Sequence, residues 1–525
     1  MTQHYKQVAD IDLMNEEWTP IGRNEQIDGK YVGHFRGIFD GDLHELTNLK
    51  ITKDLGINGY SGLFGQADDS NPHSSVLSEL RNIIIRSGLI TSKADKTGGV
   101  VASGNIVTNC INYVNINVEN KYIGGIAGYI IGKLNKAIEI SQCKNFGNIK
   151  GSDPIWHRDG GIGGIVGVAN NFYIKNGQSE YLNICHINDC SNNGQISGHG
   201  YIGGIVGISQ GEWYPNSRID GKISNSTNTG NIIGSGKFVG GIAGIATHIN
   251  DCENSGIISS SKIESYLVSG TGGIAGSAVS IQASINNGKI LGENSDNSGG
   301  IAGIIYTKVS KACIGNSNNG DIFGETNTAG IVGLFQVPYE FSLNFMTECS
   351  SNLNVGNVYG RKTSNYGGDF GFVGGIVGFA SHQVIIENCI NKGDITGEVN
   401  SLPNSYNGTI VSGIAAFAGR KLKNSYCVGK IFNKDKRQTS CVNAIACRYS
   451  PHEENDISSY EWNYWKDHID DDAQAGFSVA GDKIYSLMQF SASSWPQWPL
   501  STTSWKSLGS WNNGSPTYPK LYFEE

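Results

Sequence analysis

The chain has 525 residues with 72 glycines and 11 prolines, and its formal net charge is −8. Glycine has about twice its usual share of about 7%, yet no Gly-X-Y register is present, which excludes collagen. The acidic balance argues against a nucleic-acid partner. No apolar run approaches the roughly 18 to 20 residues that a membrane-spanning helix needs.

Residues 1–60 are predicted to form an N-terminal cap together with the first strands. They contain the segments Trp18–Gly22, Phe35–Gly41 and Leu46–Ile51, which lead into the repeats. A cap is needed because an open solenoid end exposes apolar groups and unpaired strand edges. The first residues, Met1–Tyr5, are polar and lack the apolar run of a secretory signal.

Two short submotifs alternate along residues 61–447. The first reads Gly-Gly-Ile-Ala-Gly, as at Gly124–Gly128, and the second reads Ile-x-x-Cys-x-Asn-x-Gly-x-Ile, as in the copy that begins at Ile140. Alternation over about ten copies identifies a repeat protein. Other copies of the first submotif begin at Gly163, Gly203, Gly240, Gly272, Gly299 and Gly374, and other copies of the second begin at Ile187, Ile223, Ile281 and Ile386.

The repeats predict an all-β chain folded as a right-handed parallel β-solenoid of about a dozen coils, with N- and C-terminal caps. The shortest period, from Gly98 to Gly124, is 26 residues, enough for three short strands and three turns. Apolar residues alternate with polar ones in each cassette, and most are the β-branched residues that favour strands. No cassette has the three- and four-residue apolar spacing of a helical repeat.

The cassettes fade after Cys447, and residues 448–525 are predicted to form a C-terminal cap packed by aromatic side chains. This tail holds six of the nine tryptophans, namely Trp462, Trp465, Trp495, Trp498, Trp505 and Trp511.

The two cassettes resemble the GLUG-motif repeats of bacterial surface proteins, as do the segment Asp10–Leu13 before Trp18 and the closing Tyr518–Leu521. This resemblance extends over nearly the whole chain. It implies a secreted or surface-anchored protein with an adhesion role, so we expect an extracellular location and a signal removed from this chain. GLUG repeats also accompany IgA-specific metallopeptidases, but no His-Glu-x-x-His zinc motif occurs here.

Aligning the repeats places most of the eleven cysteines at one position. Because that position also accepts Leu and Ser, we interpret it as a buried ladder of reduced thiols rather than disulfides or metal ligands. Cys441 and Cys447 lie outside the register and remain candidates for a pair. The position is assigned to Leu49, Ile83, Cys110, Cys143, Cys190, Ser226, Cys252, Ser284, Asn316, Cys349, Cys389 and Ser425.

An asparagine follows two residues after this position in most copies. Stacked asparagine side chains can hydrogen-bond from coil to coil, so we expect a structural role. The row consists of Asn112, Asn145, Asn192, Asn228, Asn254, Asn286, Asn318 and Asn391.

Insertions between the submotifs hold the candidate ligand-binding residues. In a solenoid such insertions gather on one face or rim. An exposed flat ring beside hydrogen-bonding groups is suited to stacking on a sugar, although the same rings could instead fold down and fix their own loops. The candidates are Trp156, His157, Arg158, Trp213, Tyr214 and Tyr339.

Three functions remain open. The leading one is a non-enzymatic adhesin that binds a host or environmental glycan or protein; the others are a polysaccharide lyase or hydrolase on a β-helix, and a passive stalk. We predict no catalytic residue, metal or cofactor. The nucleophile-like Gly207-Ile-Ser209-Gln-Gly211 lacks the following helix that such a motif requires. The oligomeric state stays open.

Overall fold

The structure is a computed structural model divided into two compact units, Met1–Ser259 and Ser260–Glu525, and its described residues include no helix. Those residues are 4–23, 25–27, 30–68, 77–119, 121–132, 138–151, 160–170, 172–175, 178–181, 185–209, 221–261, 268–293, 295–338, 345–362, 371–399, 408–434, 441–448, 460–461, 463–465, 477–478, 487–491, 493–496, 498, 504–512 and 515–524.

Each coil consists of short strands that run along three sheets, and one coil of the first unit illustrates the plan. Ile106–Thr108 and Ala127–Ile131 lie in the first sheet, Ile111–Asn112 in the second, and Asn115–Val118 and Tyr122–Gly124 in the third. All five pair in parallel with the matching strands of the next coil. The chain is therefore a parallel β-solenoid, as the repeats predict; its right-handedness stays a prediction.

The first unit also contains two antiparallel hairpins, Glu25–Ile27 with Lys30–Val32 and Phe172–Lys175 with Gln178–Tyr181. The strand Ile258–Ser261 contains the residue at which the units are divided. The first sheet contains Tyr5–Lys6, Ile38–Asp40, Phe64–Ala67, Glu79–Arg81, Val101–Gly104, Ile106–Thr108, Ala127–Ile131, Ile138–Ser141, Val166–Asn170, Cys185–Asn188, Val206–Ser209, Lys222–Ser224 and Ala243–Asn250; the second contains Ile11–Asp12, Glu45–Thr47, Ile84–Ile85, Ile111–Asn112, Lys144–Asn145, Ser191–Asn192, Thr227–Asn228 and Glu253–Asn254; the third contains Leu49–Ile51, Gly56–Ser61, Gly88–Ile90, Ala94–Gly98, Asn115–Val118, Tyr122–Gly124, Ile149–Gly151, Gly161–Gly163, Ile196–Gly203 and Ile232–Gly240.

The second unit repeats this plan and ends in two hairpins, Trp505–Ser507 with Lys520–Leu521 and Ser510–Asn512 with Ser515–Thr517. Its first sheet contains Ala275–Gln282, Ala302–Tyr306, Lys311–Ile314, Val332–Gln336, Thr347–Ser350, Val377–Ala380, Val384–Glu387, Ala415–Phe417, Lys421–Lys423 and Tyr460–Glu461; its second contains Ile285–Asn286, Ser317–Asn318, Leu353–Asn354, Ile390–Asn391, Tyr426–Cys427, Asn463–Trp465 and Leu487–Gln489; its third contains Gly270–Gly272, Ile290–Leu291, Asn297–Gly299, Ile322–Gly324, Asn327–Ala329, Val358–Lys362, Gly371–Gly374, Ile395–Val399, Thr409–Ser412, Ile431–Asn433 and Cys441–Asn443; Cys447–Arg448 pairs with Phe477–Ser478.

The interior is filled by β-branched side chains that stack in register from coil to coil. Ile116, Ile149, Ile196 and Ile232 pair in this order and are all buried. At the corner between the first and second sheets the backbone takes a positive φ, for example 50° at Asn109. Asparagine tolerates this conformation better than most residues, which explains its frequency at the corner.

The N-terminal strands pair in parallel with the coil that follows them. Tyr5–Lys6 and Ile11–Asp12 pair in parallel with strands of the following coil, and Glu17 and Ile21 make further parallel bridges. The indole Nε1 of Trp18 donates a hydrogen bond to the carbonyl oxygen of Leu63 at 3.0 Å. The N-terminal cap with first strands over residues 1–60 stays a prediction.

In the second unit, parallel pairing continues past residue 447, where the repeats were expected to end, through strands as late as Leu487–Gln489. The described residues that follow, 490–491, 493–496, 498, 504–512 and 515–524, are named here the C-terminal flap. It packs on the outer face of the second sheet, where Leu353, Ile390 and Tyr426 from three coils meet Trp498 and Trp505 of the flap. The flap therefore covers a side of this unit.

Polar contacts fix the flap to the coils. The Tyr426 hydroxyl donates to the carbonyl oxygen of Pro519 at 2.6 Å, and the Trp505 indole Nε1 donates to Asn388 Oδ1 at 3.0 Å. Lys392 forms an ion pair with Glu524. The aromatic residues of the tail thus bury apolar side chains that a solenoid strand would otherwise present to water.

Candidate functional site

The loop residues predicted to bind a ligand all lie outside the described residues. This applies to Trp156, His157, Arg158, Trp213, Tyr214 and Tyr339. Their role stays a prediction, and the surfaces described below come from other parts of the chain.

The cysteine row of the first unit is interior, as predicted. Cys110, Cys143, Cys190 and Cys252 each follow a corner residue of positive φ and are buried as free thiols. Burial raises the pKa of the Cys252 thiol to about 12 and also raises the pKa values of Cys143 and Cys190, so these three side chains are poor nucleophiles and poor metal ligands. The side chains of Cys441 and Cys447 lie outside the described residues.

Two assignments in this row are wrong. Leu49 pairs with Gly88 in the third sheet, so it does not share the row with Ile83. Cys349 pairs with Cys313 and Ile386 in the first sheet, one strand before the row. The row position in that coil belongs to Asn352, whose Oδ1 accepts the backbone N–H of Asn316 at 3.0 Å. In this coil Asn352, Asn354 and Gly356 have the same spacing as Cys389, Asn391 and Gly393 of the next coil, so the spacing of the cassette, and not the residue type, marks the row position.

The asparagine row forms hydrogen-bonded ladders inside each unit. In the first unit, each Nδ2 donates to the Oδ1 of the asparagine in the next coil, from Asn112 through Asn145, Asn192 and Asn228 to Asn254, at 2.8–2.9 Å. Each of these five asparagines also donates from its Nδ2 to the backbone carbonyl oxygen two residues later in the chain. The predicted structural role is therefore confirmed.

The second unit has a similar ladder that contains one asparagine the sequence comparison missed. Asn354 lies between Asn318 and Asn391, with hydrogen bonds of 2.8 and 2.7 Å. The last step runs from Asn391 Nδ2 to the Sγ of Cys427 at 3.3 Å. Burial raises the pKa of the Cys427 thiol to about 11.

The asparagine ladder also explains the paired glycines of the first submotif. A Cβ added at Gly125 would lie 2.2 Å from the Gly164 carbonyl oxygen and 2.5 Å from Asn145 Cγ. Gly164 meets Gly204 and Asn192 in the same manner. The two submotifs therefore belong to one packing unit, in which the glycine corner of one coil lies against the asparagine of the next.

Among the described residues, no group of three or more His, Cys, Asp or Glu side chains could hold a metal ion. Ser209, of the nucleophile-like motif, is 1% exposed and so does not stand out on the strained, exposed turn that this motif requires. The repeated interior residues thus account for packing, and candidate binding groups must lie on the outer faces.

One exposed array follows the corner between the second and third sheets of the first unit. The Arg86 guanidinium lies 4.5 Å from the centroid of the Tyr113 ring, and that ring stacks on Phe146 with centroids 4.7 Å apart and planes within 7°. Phe146 is 40% exposed. The next coil places Asn193 at this position, and its Nδ2 donates to Thr229 Oγ1 at 2.9 Å. We call Arg86, Tyr113, Phe146 and Asn193 the corner column.

A second array lies on the outer face of the third sheet in the second unit. Lys289 Nζ lies 4.6 Å from the Phe323 centroid, and Phe323 is 5.7 Å from the Tyr359 ring in the next coil. Lys434 Nζ lies 5.2 Å from the Tyr359 centroid and 3.6 Å from a Glu398 carboxylate oxygen. Because lysines lie against both rings, this strip offers less open aromatic surface than the corner column.

A third aromatic cluster lies around Lys96 in the first unit. Its Nζ is 4.8 Å from the Tyr60 centroid and 5.6 Å from the Tyr129 centroid. Burial lowers the pKa of the Lys96 amino group. Nearby, the buried Asp68 carboxylate accepts hydrogen bonds from Ser103 Oγ at 2.6 Å and Gln66 Nε2 at 2.9 Å. These groups are engaged with one another, so the cluster is a weaker candidate for binding.

The sequence analysis did not predict the corner column, because it placed the candidate binding residues in the insertions between the submotifs. Its members occupy the residue after the ladder position in the second submotif, directly following Asn112, Asn145 and Asn192. Comparing that single position across copies gives Tyr113, Phe146 and Asn193, so the signal was present in the repeats.

Comparison with known families and structures supports the repeat and leaves the activity open. Residues 198–233 match the family model described as the GLUG motif. The crystal structure of a Bacteroides ovatus protein provisionally described as an immunoglobulin A1 protease is 21% identical, covering 64% of this chain and 71% of that chain, with a TM-score of 0.30. Comparison with curated proteins gave no match. In the described part of the chain, no helix is long and apolar enough to cross a membrane.

Proposed function

We propose that this GLUG-motif repeat protein is a non-enzymatic bacterial surface or secreted protein that binds a glycan or protein ligand through exposed side chains on its coils. The observation that carries the proposal is the corner column, in which the Tyr113 ring stacks on the ring of the exposed Phe146. Exposed aromatic side chains combine a large apolar contact area with defined geometry, which is why they are frequent at binding surfaces.

The solenoid suits such a role because its ladders hold the backbone from which the outward side chains extend. Tyr113 and Phe146 follow two consecutive members of the asparagine ladder, whose side chains hydrogen-bond to each other at 2.9 Å. A surface held in this way loses little conformational entropy on binding. The loop residues Trp156 and Trp213 remain additional candidates for the same surface.

Binding is favoured over polysaccharide cleavage by the state of the outer carboxylates. Glycoside hydrolysis needs two carboxylates placed on either side of a substrate. Several acidic residues on the coils are instead engaged with basic partners, as in Asp40 with Arg81 at 2.9 Å and Glu387 with Lys423 at 2.8 Å. We therefore rank the enzyme below the binding protein, and the passive stalk remains the outcome if no ligand is found.

The test is an array of glycans and extracellular-matrix proteins probed with the full chain. Variants Phe146→Ala, Trp156→Ala and Trp213→Ala are compared with Ile257→Ala, which removes an exposed apolar side chain outside the aromatic arrays (43% exposed). We expect at least one ligand whose retention falls in an aromatic variant and not in Ile257→Ala. If the wild-type chain retains no glycan and no protein, the proposed function is wrong.

A further inference from the structure

We infer that the corner column is a binding site for an acidic saccharide, with the ring of a sugar stacked on Phe146. This inference rests on the proposed function and names the ligand class and the site. It begins from the abrupt change of side-chain size along one row, from Tyr113 and Phe146 to Asn193.

The open face of Phe146 is the first part of the argument. Tyr113 covers one face of the phenylalanine ring in parallel stacking, and Arg86 covers the far side of Tyr113. The other face of Phe146 is directed towards the next coil, about 4.8 Å further along the stack. The next coil has the shorter Asn193 at this position, and Phe146 is 40% exposed, which gives an apolar surface with an amide beside it.

Exposed amides occupy outward positions next to that of Phe146 in the sequence and in the following coil. Asn193 and Asn148 are both exposed, and the Oδ1 of Asn148 accepts the backbone N–H of Gln195 at 3.0 Å, which holds the side chain in place. A flat apolar ring face bordered by fixed amides matches a pyranose, which has an apolar face and hydroxyl groups at its rim.

The local charge selects an acidic sugar. Lys144 and Lys150 flank Phe146, are exposed, and form no ion pair with any described residue. No Asp or Glu occurs in the segments 110–118, 143–151 and 190–198 that make up this part of the three coils. On a chain with a net charge of −8, two unneutralised lysines beside an open ring favour a carboxylate or sulfate group on the ligand.

A nucleic acid also combines flat rings with negative charge, but it requires more cations than this surface has. Binding to a phosphate backbone depends on several lysine or arginine contacts. The Arg86 guanidinium is already engaged, since its Nε donates to Glu45 Oε1 at 3.0 Å. This leaves the two lysines, which suffice for one acidic sugar group.

The experiment titrates the full chain with a galacturonate hexasaccharide, its fully methyl-esterified form, a sulfated hexasaccharide and a thymidine hexanucleotide. The ester keeps the rings and removes the charge, so it separates stacking from ion pairing. We expect an acidic hexasaccharide to bind, the ester to bind about tenfold more weakly, and Phe146→Ala to weaken acidic binding about tenfold.

The double variant Lys144→Gln/Lys150→Gln should bind the acid and the ester equally, because it removes the charge selection. Phe432→Ala serves as the control, since Phe432 is similarly exposed at 41% but lies in the second unit. The uronate and sulfate arms decide which acidic group is preferred, and binding of either fits the inference.

Three results would overturn the inference. Acid and ester could bind the wild-type chain equally, Phe146→Ala could leave acidic binding unchanged, or the hexanucleotide could bind more tightly than both acidic saccharides. If the chain retains ligands on the array described above but every one of them is insensitive to Phe146→Ala, the acidic-saccharide site fails while the binding function stands. If no ligand is found anywhere, both fail.

Discussion

The asparagine ladder permits a quantitative test with the variant Asn192→Ala. The Asn192 side chain is fully buried, and its Nδ2 donates to Gly194 O and to Asn228 Oδ1, both at 2.8 Å. Its own Oδ1 accepts from Asn145 Nδ2 at 2.8 Å. The variant removes three hydrogen bonds and leaves two acceptors and one donor short of a partner in the interior.

We expect this variant to lower the free energy of unfolding of the first unit by about 3 kcal/mol, because each buried group left unsatisfied costs about 1–3 kcal/mol and partial relaxation recovers some of this. Asn193→Ala is the matched control. It alters the next residue, whose exposed side chain makes one hydrogen bond to Thr229, and should change stability by less than about 0.5 kcal/mol.

The measurement is urea denaturation followed by circular dichroism, combined with hydrogen exchange of the backbone amides around residues 145, 192 and 228. Exchange is needed because repeat arrays can unfold in parts, so that one midpoint does not represent every coil. If Asn192→Ala and Asn193→Ala prove equally stable, and protection of these amides is unchanged, the ladder contributes no net stability and our explanation of the asparagine row fails.

Three further outcomes follow from the same packing. Gly125→Ala should lower the free energy of unfolding of the first unit by more than about 2 kcal/mol, because its Cβ would lie 2.2 Å from a carbonyl oxygen of the next coil. Gly104→Ala is the control and should be tolerated in the same urea denaturation assay, since the nearest atom to its Cβ is a valine methyl at 3.3 Å. Burial raises the pKa of Cys185 to about 12, so the buried thiol stabilises the folded state fully below the ordinary thiol pKa of about 8.5, and this contribution is lost as the pH rises towards 12. The free energy of unfolding should therefore fall less steeply between about pH 8.5 and 12 in Cys185→Ala than in the wild-type chain. Equal slopes would contradict the pKa shift. Tyr426→Phe removes the hydrogen bond to Pro519 and should detach the C-terminal flap at a lower urea concentration. The measurement is the red shift of tryptophan fluorescence, which should occur earlier in the urea titration. An unchanged transition would show that aromatic packing alone holds the flap.

Much of the fold could be predicted from the sequence because stacking makes equivalent residues neighbours. In a parallel solenoid, residue n of one coil lies on residue n of the next, so a residue type that recurs at one position recurs along one row in space. This is why the repeats alone predict that Asn112, Asn145 and Asn192 form a ladder. The match of residues 198–233 to the GLUG motif supports the same repeat.

The candidate site was predicted less well. The loop residues around Trp156 and Trp213 attracted attention through their composition, and they lie outside the described residues. The corner column was overlooked although Tyr113 and Phe146 stand in matching cassette positions. Two aromatic residues at one repeat position can be identified as a stacked pair only when the coil spacing and the ring orientation are known. Sequence comparison gives neither.

By itself the sequence determined the alternation of submotifs, the parallel strands and the buried asparagine row, since all of these follow from local alternation and from repetition. The tertiary structure decided which residues of the irregular coils share a row. Leu49 follows an asparagine as Cys110 does, yet its pairing with Gly88 places it in another sheet. The contact of Gly125 with Asn145 is known only from the structure, because it joins residues of different coils. The packing of the C-terminal flap on Tyr426 is also known only from the structure, because it depends on which outer positions are apolar once every coil is in place.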